Sequence, residues 1–538
     1  VEVPPPPLPE PNVAVGETER PHIAGGEGGL LPMPVMAQRR HVPVLHGPKS
    51  WPDPAPGQRW RDNNYIRDDG ILPWQRCGTD NFASPPHIYA SLTQPGELKV
   101  FHMASSVWGK SDESGRPTAA KAISIAIYYQ WGNTPVCNRF RGPYIHCIHA
   151  HVAPLVLCRV NGGKWTRSYR TSHFQYRTNY IPHDVVTCPM PNGVWELKDR
   201  MIVELSMSTN ISQKVLNESD PVQVQEKEPY WAAFEAQSRI VDMTIDLCYH
   251  HVEKPWPLTI CTEPMYGLGE AVAAKFWYGE PPYPRNVSLL DAFIVYHTMQ
   301  GARVVIHDQD GSLGGSMRER FEGRTDAVQW SFPWRLDGVW NTTYLYQSTA
   351  FEAHSETSCM WEARFKSKLV MILHSVDNFA LPWRNGTDLA SVAQGIDTQT
   401  VSNLSVPTAG AAPSDFNATH PSATYSRANN ILSRFNLLGG VNMHQRIRLT
   451  PMCDPRMQDS SNIHWFSGER PGHRGLWNAS QVVLEGGFYT VHLMGITRPG
   501  MQARQGQAHP QWGRFGAELS ARLEALSRGS LYPPPVVV

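Results

Sequence analysis

The sequence predicts an α/β domain, a mostly parallel sheet with flanking helices, preceded by an all-β sandwich-like domain. Three observations carry this. Between about 85 and 250 the chain reads as short apolar strands separated by turn signals. From Pro257 onward strand and helix patterns alternate, the mark of a parallel sheet with helices on both faces. Apolar content of 41% with 18% charged residues is that of globular protein, and 538 residues suffice for several cores.

Residues 1–40 open Val-Glu-Val-Pro-Pro-Pro-Pro-Leu-Pro and stay Gly-rich without apolar periodicity, a polyproline arm. Residues 41–250 form the sandwich-like domain with a helix-containing bridge over 220–250. Its strands are Ala122–Gln130, Ala153–Val160 and Arg200–Ser206, and its turns include Asn161-Gly162-Gly163 and Pro191-Asn192-Gly193. The second domain spans 257–500. Leu258–Thr262 is a short strand, and Ser288 with Asp291 makes a capping box for a helix that Gly301 ends. Leu289, Leu290, Phe293, Ile294 and His297 share one face of that helix. Ala302–His307 is the next strand, Tyr344 to about Arg364 a second helix, and Leu369–Leu373 a further strand. Residues 385–425, rich in Ser, Thr, Ala and Asn, read as an exposed insertion. Residues 501–538 supply a helix over Ala517–Ser527 and a second Pro-rich tail.

Balanced charge, 48 basic against 48 acidic side chains, argues against a broad nucleic-acid surface. No apolar run of about 18 residues occurs, so no membrane span is expected. The chain begins at Val1, and a removed signal peptide or anchor is inferred. Eight Asn-x-Ser/Thr triplets stand at Asn210, Asn217, Asn286, Asn341, Asn385, Asn403, Asn417 and Asn478. Composition alone would give roughly three, so the set points to N-glycosylation in the secretory pathway, the Golgi lumen or the extracellular space. The nine cysteines include no Cys-x-x-Cys pair and fit disulfides in an oxidising lumen. An odd number leaves one thiol free or paired with another chain. The Pro-rich ends read either as passive tails or as docking strands for protein partners, and that unpaired cysteine offers a second route to a partner. The 18 Trp and 19 Tyr suit sugar stacking, although core packing accounts for most single rings. His250-His251 reads as a linker pair, and His146, His149 and His151 as packing residues.

Two acidic spots follow strands. His307-Asp308-Gln309-Asp310-Gly311 places a carboxylate where a ribose or a metal could be held; the alternative is a chain turn. His374-Ser375-Val376-Asp377-Asn378 follows the strand LVMIL. A sugar-nucleotide transferase needs a divalent cation across the two phosphates, and carboxylates suit Mn or Mg. Here only Asp377 is a carboxylate, with His374 and Asn378 as candidate weaker helpers, and a site and a structural turn are both open.

These landmarks, in order, resemble glycosyltransferase family 92. Cys261 with Pro264, Tyr266 and Gly267 is similar to the family's opening strand, and Leu290–Asp308 (LDAFIVYHTMQGARVVIHD) to its helix ending in Tyr-His before a strand ending in Asp. Gln347 and Cys359 resemble the next pair. Arg364–Pro382 (RFKSKLVMILHSVDNFALP) is similar to the segment carrying Asp-x-Asp-Glu, an aromatic residue and Pro. Arg446-Ile447-Arg448 with Pro451 and His464, then His492, resemble later landmarks. The likeness covers roughly Pro257 to Gly495. It implies a GT-A type domain using a UDP-sugar, galactose foremost, with Mn (or Mg). By that resemblance Asp308, Gln347 and Asp377 would bind the nucleotide and diphosphate, and Asp377 with His464 and His492 the metal; no catalytic base is assigned. The motif departs from the family: Asp-x-Asp-Glu reads Ser375-Val376-Asp377-Asn378. Two functions follow as expectations, a hexosyltransferase acting on a glycan acceptor, or a catalytically degenerate structural or glycan-binding glycoprotein of an extracellular assembly.

Overall fold

Alternating apolar residues in the first half produce antiparallel strands, because every second side chain must leave water on the same face. In the computed structural model of the chain, Leu98–Ser111 and Pro117–Trp131 pair as one long hairpin. At its tip the Asp112 carboxylate accepts from the Ser114 and Arg116 main-chain N–H groups at 3.0 and 2.9 Å. Gly109 is required here, since a Cβ would stand 1.9 Å from the Ala119 carbonyl oxygen. His183–Pro189 and Tyr169–Phe174 extend this sheet. A second antiparallel sheet runs Trp74–Arg76, Val241–Tyr249, Arg200–Ser208, Leu155–Val160, Thr166–Arg167. The two sheets share a core in which Val107 and Ile123 meet Val156, Val203 and Ile245. Residues 241–249, assigned to a bridge from sequence, are thus a strand of this sheet.

The structure describes residues 70–527 apart from 79–88, 92–97, 132–154, 175–182, 190–197, 209–240, 251–254, 266–288, 309–318, 332–344, 413–436, 439–448, 463–464, 468–473, 477–486, 494–506 and the single positions 115, 164, 322, 374, 385, 459 and 509. All described residues belong to the unit Pro43–Val538; the unit Val1–Val42, with the expected arm, lies outside them, as does the Pro-rich tail.

The second half is organised on strands β1 (Trp256–Met265), β2 (Arg303–Asp308), β3 (Ala327–Ser331) and β4 (Ser367–Leu373). They are mutually parallel in the order β3-β2-β1-β4. Helix α1 (Leu289–Met299) connects β1 to β2, and α2 (Leu345–Glu362) connects β3 to β4. Gly301 ends α1 at φ +77°, which lets the Ala302 N–H donate to the His297 carbonyl at 3.1 Å. The Asp291 carboxylate pairs with Arg320 at 2.9 Å.

Beyond β4 the sheet changes character. The remaining strands are β5 (Asn378–Pro382), β6 (Val401–Ala412), β7 (Leu449–Cys453) and β8 (Phe488–Leu493), with shorter pieces at Leu437–Leu438, Arg474–Leu476 and Gln507–Ala508. β7 is antiparallel to both β4 and β6, and β5 is antiparallel to β8. The expected mostly parallel, helix-flanked α/β domain is therefore incorrect. Among the described residues strand outweighs helix, with several antiparallel sheets and one curled mixed sheet of eleven strands.

Two features cause the difference. The stretch 401–412, read as part of an exposed insertion, is the long interior strand β6, with Leu404, Val406, Ala409 and Ala411 buried. Pro407 is tolerated there because its register to Arg474–Leu476 has ended at Leu404 and that to β8 starts at Thr408. In addition, helices cover one face of β1–β4 more fully than the other. On one face lie α1 and α3 (Pro510–Ser527), with Phe515, Leu519 and Leu523 in the same cluster as Ile260 and Val304. On the opposite face Val305, Val370 and Ile372 pack with α2 and with Met103, Ala104 and Ala126 of the first-half sheet.

That seam is polar as well as apolar. The Ser358 hydroxyl donates to the Met103 carbonyl at 2.8 Å, and Gln75 donates to the Trp361 carbonyl at 2.9 Å. The buried Arg364 guanidinium stacks on Trp361, donates to the carbonyls of Pro455 and Gln458 at 3.1 and 2.8 Å, and reaches the Ser106 hydroxyl.

Three disulfides, Cys77–Cys248, Cys158–Cys188 and Cys261–Cys359, belong to an oxidising, secretory or extracellular environment. Cys261–Cys359 ties β1 to α2. Cys453 is a free thiol among the described residues; it is buried, so it is not available to bridge to another chain. Cys137 and Cys147 lie outside the described residues. Among the described residues no helix is long and apolar enough to cross a membrane.

Candidate functional site

The carboxyl ends of the parallel strands are where such a sheet exposes its loops, and the order β3-β2-β1-β4 reverses the chain's progress at β1. β2 ends there in Asp308, opposite Met265 of β1. β4 ends there in Leu373, opposite Thr262. Because α2 returns the chain from β3 to the start of β4, its first turn, with Gln347, lies toward the same end.

Asp377 sits in the turn between β4 and β5. Its side chain is only 1% exposed. Oδ1 accepts from the Ser375 hydroxyl and from Asn378 Nδ2, the latter at 3.1 Å. Oδ2 faces His492 Nε2 at 3.2 Å, a partner 115 residues away. The main chain reinforces this meeting, because the Leu493 N–H donates to the Asp377 carbonyl at 2.8 Å and Asn378 pairs with His492 in the β5–β8 ladder. His492 keeps 23% of its side chain exposed, so the pair has one wet side.

Sequence reasoning treated Ser375 and Asn378 as losses. In the structure both hold the surviving carboxylate, orienting Oδ2 toward the imidazole. The Ser375 hydroxyl engages the carboxylate rather than the His492 ring, so no Ser–His nucleophile is assembled.

Asp308 is fully buried at the end of β2. Beside it, the His307 N–H donates to the Thr262 hydroxyl at 3.1 Å and the ring meets the Thr262 carbonyl at 2.6 Å. Burial lowers the His307 pKa to about 4. The ring is therefore neutral at physiological pH, with Nδ1–H as donor. Asp308 and Asp377 belong to the same end of the sheet, one closing β2 and the other in the turn after β4.

The other expected residues divide plainly. The Gln347 side chain, His464 and His374 lie outside the described residues. So do His146, His149, His151 and His251, and seven of the eight glycosylation triplets: Asn210, Asn217, Asn286, Asn341, Asn385, Asn417 and Asn478. Asn403 is described, and it argues against a glycan: it stands in the interior strand β6 and is 1% exposed, leaving no space for a sugar in the folded chain.

Two residues of the site had no role at Asp377 in the sequence reading, which placed His297 on a helix face and met Tyr296 only in the Tyr-His landmark. Tyr296 and His297 end α1 and both reach Ala380 of β5. The Tyr296 hydroxyl donates to the Ala380 carbonyl at 3.0 Å, and the Ala380 N–H donates to His297 Nε2 at 3.1 Å. Burial lowers the His297 pKa to about 3 and raises the Tyr296 phenol, so both keep these neutral roles.

Among the described residues no cluster of three or more His, Cys, Asp or Glu side chains is poised for a metal. Asp377 and His492 alone offer one carboxylate oxygen and one imidazole nitrogen. No protein-family model matches the chain. No curated protein matches it.

Proposed function

We propose that the Asp377–His492 pair is the donor-side centre of a secretory-pathway hexosyltransferase that takes a UDP-sugar, galactose foremost, and passes the sugar to a glycan. The observation that carries the reading is the convergence of these two side chains at the carboxyl end of a parallel strand set. A Mn or Mg ion keeps several waters, takes phosphate oxygens and needs only one or two protein ligands. Two ligands at about 2.1 Å from one cation and at a right angle stand about 3.0 Å apart, close to the observed pair. The donor set therefore fits such an ion.

When bound, the cation supplies charge stabilisation for the departing diphosphate. The chain does the rest. Asp377 presents Oδ2 because Ser375 and Asn378 hold Oδ1. His492 presents Nε2 from β8, and the nucleotide roles that the resemblance implies for Asp308 and Gln347 would fall at the same strand end.

The second reading, a catalytically degenerate structural or glycan-binding glycoprotein, is favoured by the same two donors. Each hydrogen bond to Oδ1 withdraws charge that a cation would use. Thermal unfolding with Mn and UDP separates the two. A working donor site raises the midpoint at millimolar ligand, and Asp377→Ala removes the rise. An unchanged midpoint in the native chain refutes the transferase reading and leaves the second.

A further inference from the structure

We infer that Tyr296 and His297 are positioning residues for the Asp377–His492 pair, acting as a two-residue clasp on the free edge of β5. The functional part of this inference rests on the donor-site reading above; the clasp itself is a claim about structure and is tested separately.

β5 is five residues long and has a single ladder partner among the described residues, β8. In such an antiparallel pair, alternate residues direct their main-chain groups away from the partner. Ala380 does so, and its N–H and carbonyl oxygen both end on α1 side chains. Two consecutive residues of a helix thus do the work of a missing strand. Ala380 lies three residues after Asp377, while His492 lies on the other edge of β5 opposite Asn378. The clasp and the β8 ladder therefore grip β5 from both sides, and the turn bearing Asp377 begins where they meet.

The polarity is built in. His297 Nδ1–H donates to the Phe293 carbonyl at 2.8 Å, which leaves Nε2 as the acceptor that the Ala380 N–H requires. The ring is stacked on Phe379, with centroids 5.5 Å apart and planes 20° from parallel. A phenyl ring at 297 could keep that stacking but accept nothing. A Gln side chain reaches about as far as Nε2 and offers an acceptor.

The test uses the full chain and two readouts. The first is amide exchange at residues 375–382 and 490–493, and the second is the apparent affinity for Mn with UDP. His297→Phe is expected to accelerate exchange of these segments at least about tenfold, because a buried N–H loses its acceptor. It is expected to weaken Mn–UDP binding by about the same factor. His297→Gln is expected to restore both to within about threefold of the native chain. Tyr296→Phe, which removes the hydroxyl and keeps the ring, provides a milder variant should His297→Phe fail to fold. The control is Val203→Ala, a core truncation in the first-half sheet.

The clasp is refuted if the clasp variants open 375–382 no more than Val203→Ala does at matched loss of thermal midpoint. It is equally refuted if Gln at 297 restores nothing. If the native chain shows no response to Mn–UDP, the donor-site reading falls, with the positioning role that depends on it, while exchange still decides the clasp. Accelerated exchange with unaltered Mn–UDP affinity refutes the positioning role and leaves the donor-site reading in place.

Discussion

His297 and His307 make the folded chain acid-sensitive in a way that can be worked out. Both rings are fully buried, and burial lowers their pKa values from the ordinary 6.5 to about 3 and about 4. The folded state refuses a proton that the unfolded state accepts below 6.5. Stability from these groups is therefore complete above pH 6.5 and is lost as pH falls toward 4 and then 3. Each group costs about 1.4 kcal/mol for every pH unit below 6.5, hence about 2 kcal/mol at pH 5. The pair together costs about 4 kcal/mol there, a large part of the 5–15 kcal/mol typical of a folded domain. Urea denaturation at pH 7.5, 6 and 5 measures it. His297→Gln should lose some stability at pH 7.5 but show a pH slope shallower by about 1.4 kcal/mol per unit between 6 and 5. The reasoning is refuted if native and variant chains lose stability in parallel across that range.

Four further outcomes are expected. Cys359→Ala opens a disulfide spanning 98 residues and should cost about 2–5 kcal/mol, read as a lower unfolding midpoint in the absence of reductant. Arg364→Met leaves the carbonyls of Pro455 and Gln458 without their donor at the seam and should cost about 3–5 kcal/mol in chemical denaturation. Gly109→Ala forces a Cβ against the Ala119 carbonyl and should destabilise the hairpin by about 3 kcal/mol, seen as faster amide exchange in 98–131. Asn403→Gln should leave the glycan mass of the secreted chain unchanged, because Asn403 is enclosed in β6; a loss of one glycan by mass spectrometry contradicts that placement.

Much of the local structure was legible in sequence. The strand at Leu369–Leu373, the helix from about 344 to 364 and the stop at Gly301 all register local rules: a continuous apolar run, a helical span before it, and the one residue that takes positive φ without strain. Asp377 just past a strand end could be read the same way. The stretch 401–412 could not. Ser, Thr, Ala and Gly have weak or adverse strand preference, and what makes β6 is burial between β7 on one edge and β8 on the other. Asn403 looked glycosylated for the same reason, since a triplet does not show whether its backbone is enclosed.

The candidate site divides along that line. From sequence alone come a carboxylate after a strand and two weakened neighbours, and from the family resemblance a late histidine, His492. The tertiary structure decided that His492 meets Asp377, that Ser375 and Asn378 hold the carboxylate, and that Tyr296 and His297 secure the next strand. It also decided that one face of β1–β4 packs on an antiparallel sheet as well as on a helix, which overturned the expected architecture. The physical reason is sequence distance. Periodicity records that a face is buried, while what meets it is set by contacts far apart in the chain, 115 residues for His492 with Asp377 and 84 and 83 for Tyr296 and His297 with Ala380. The Ser375 and Asn378 bonds are local, but their direction is fixed only once that carboxylate is placed.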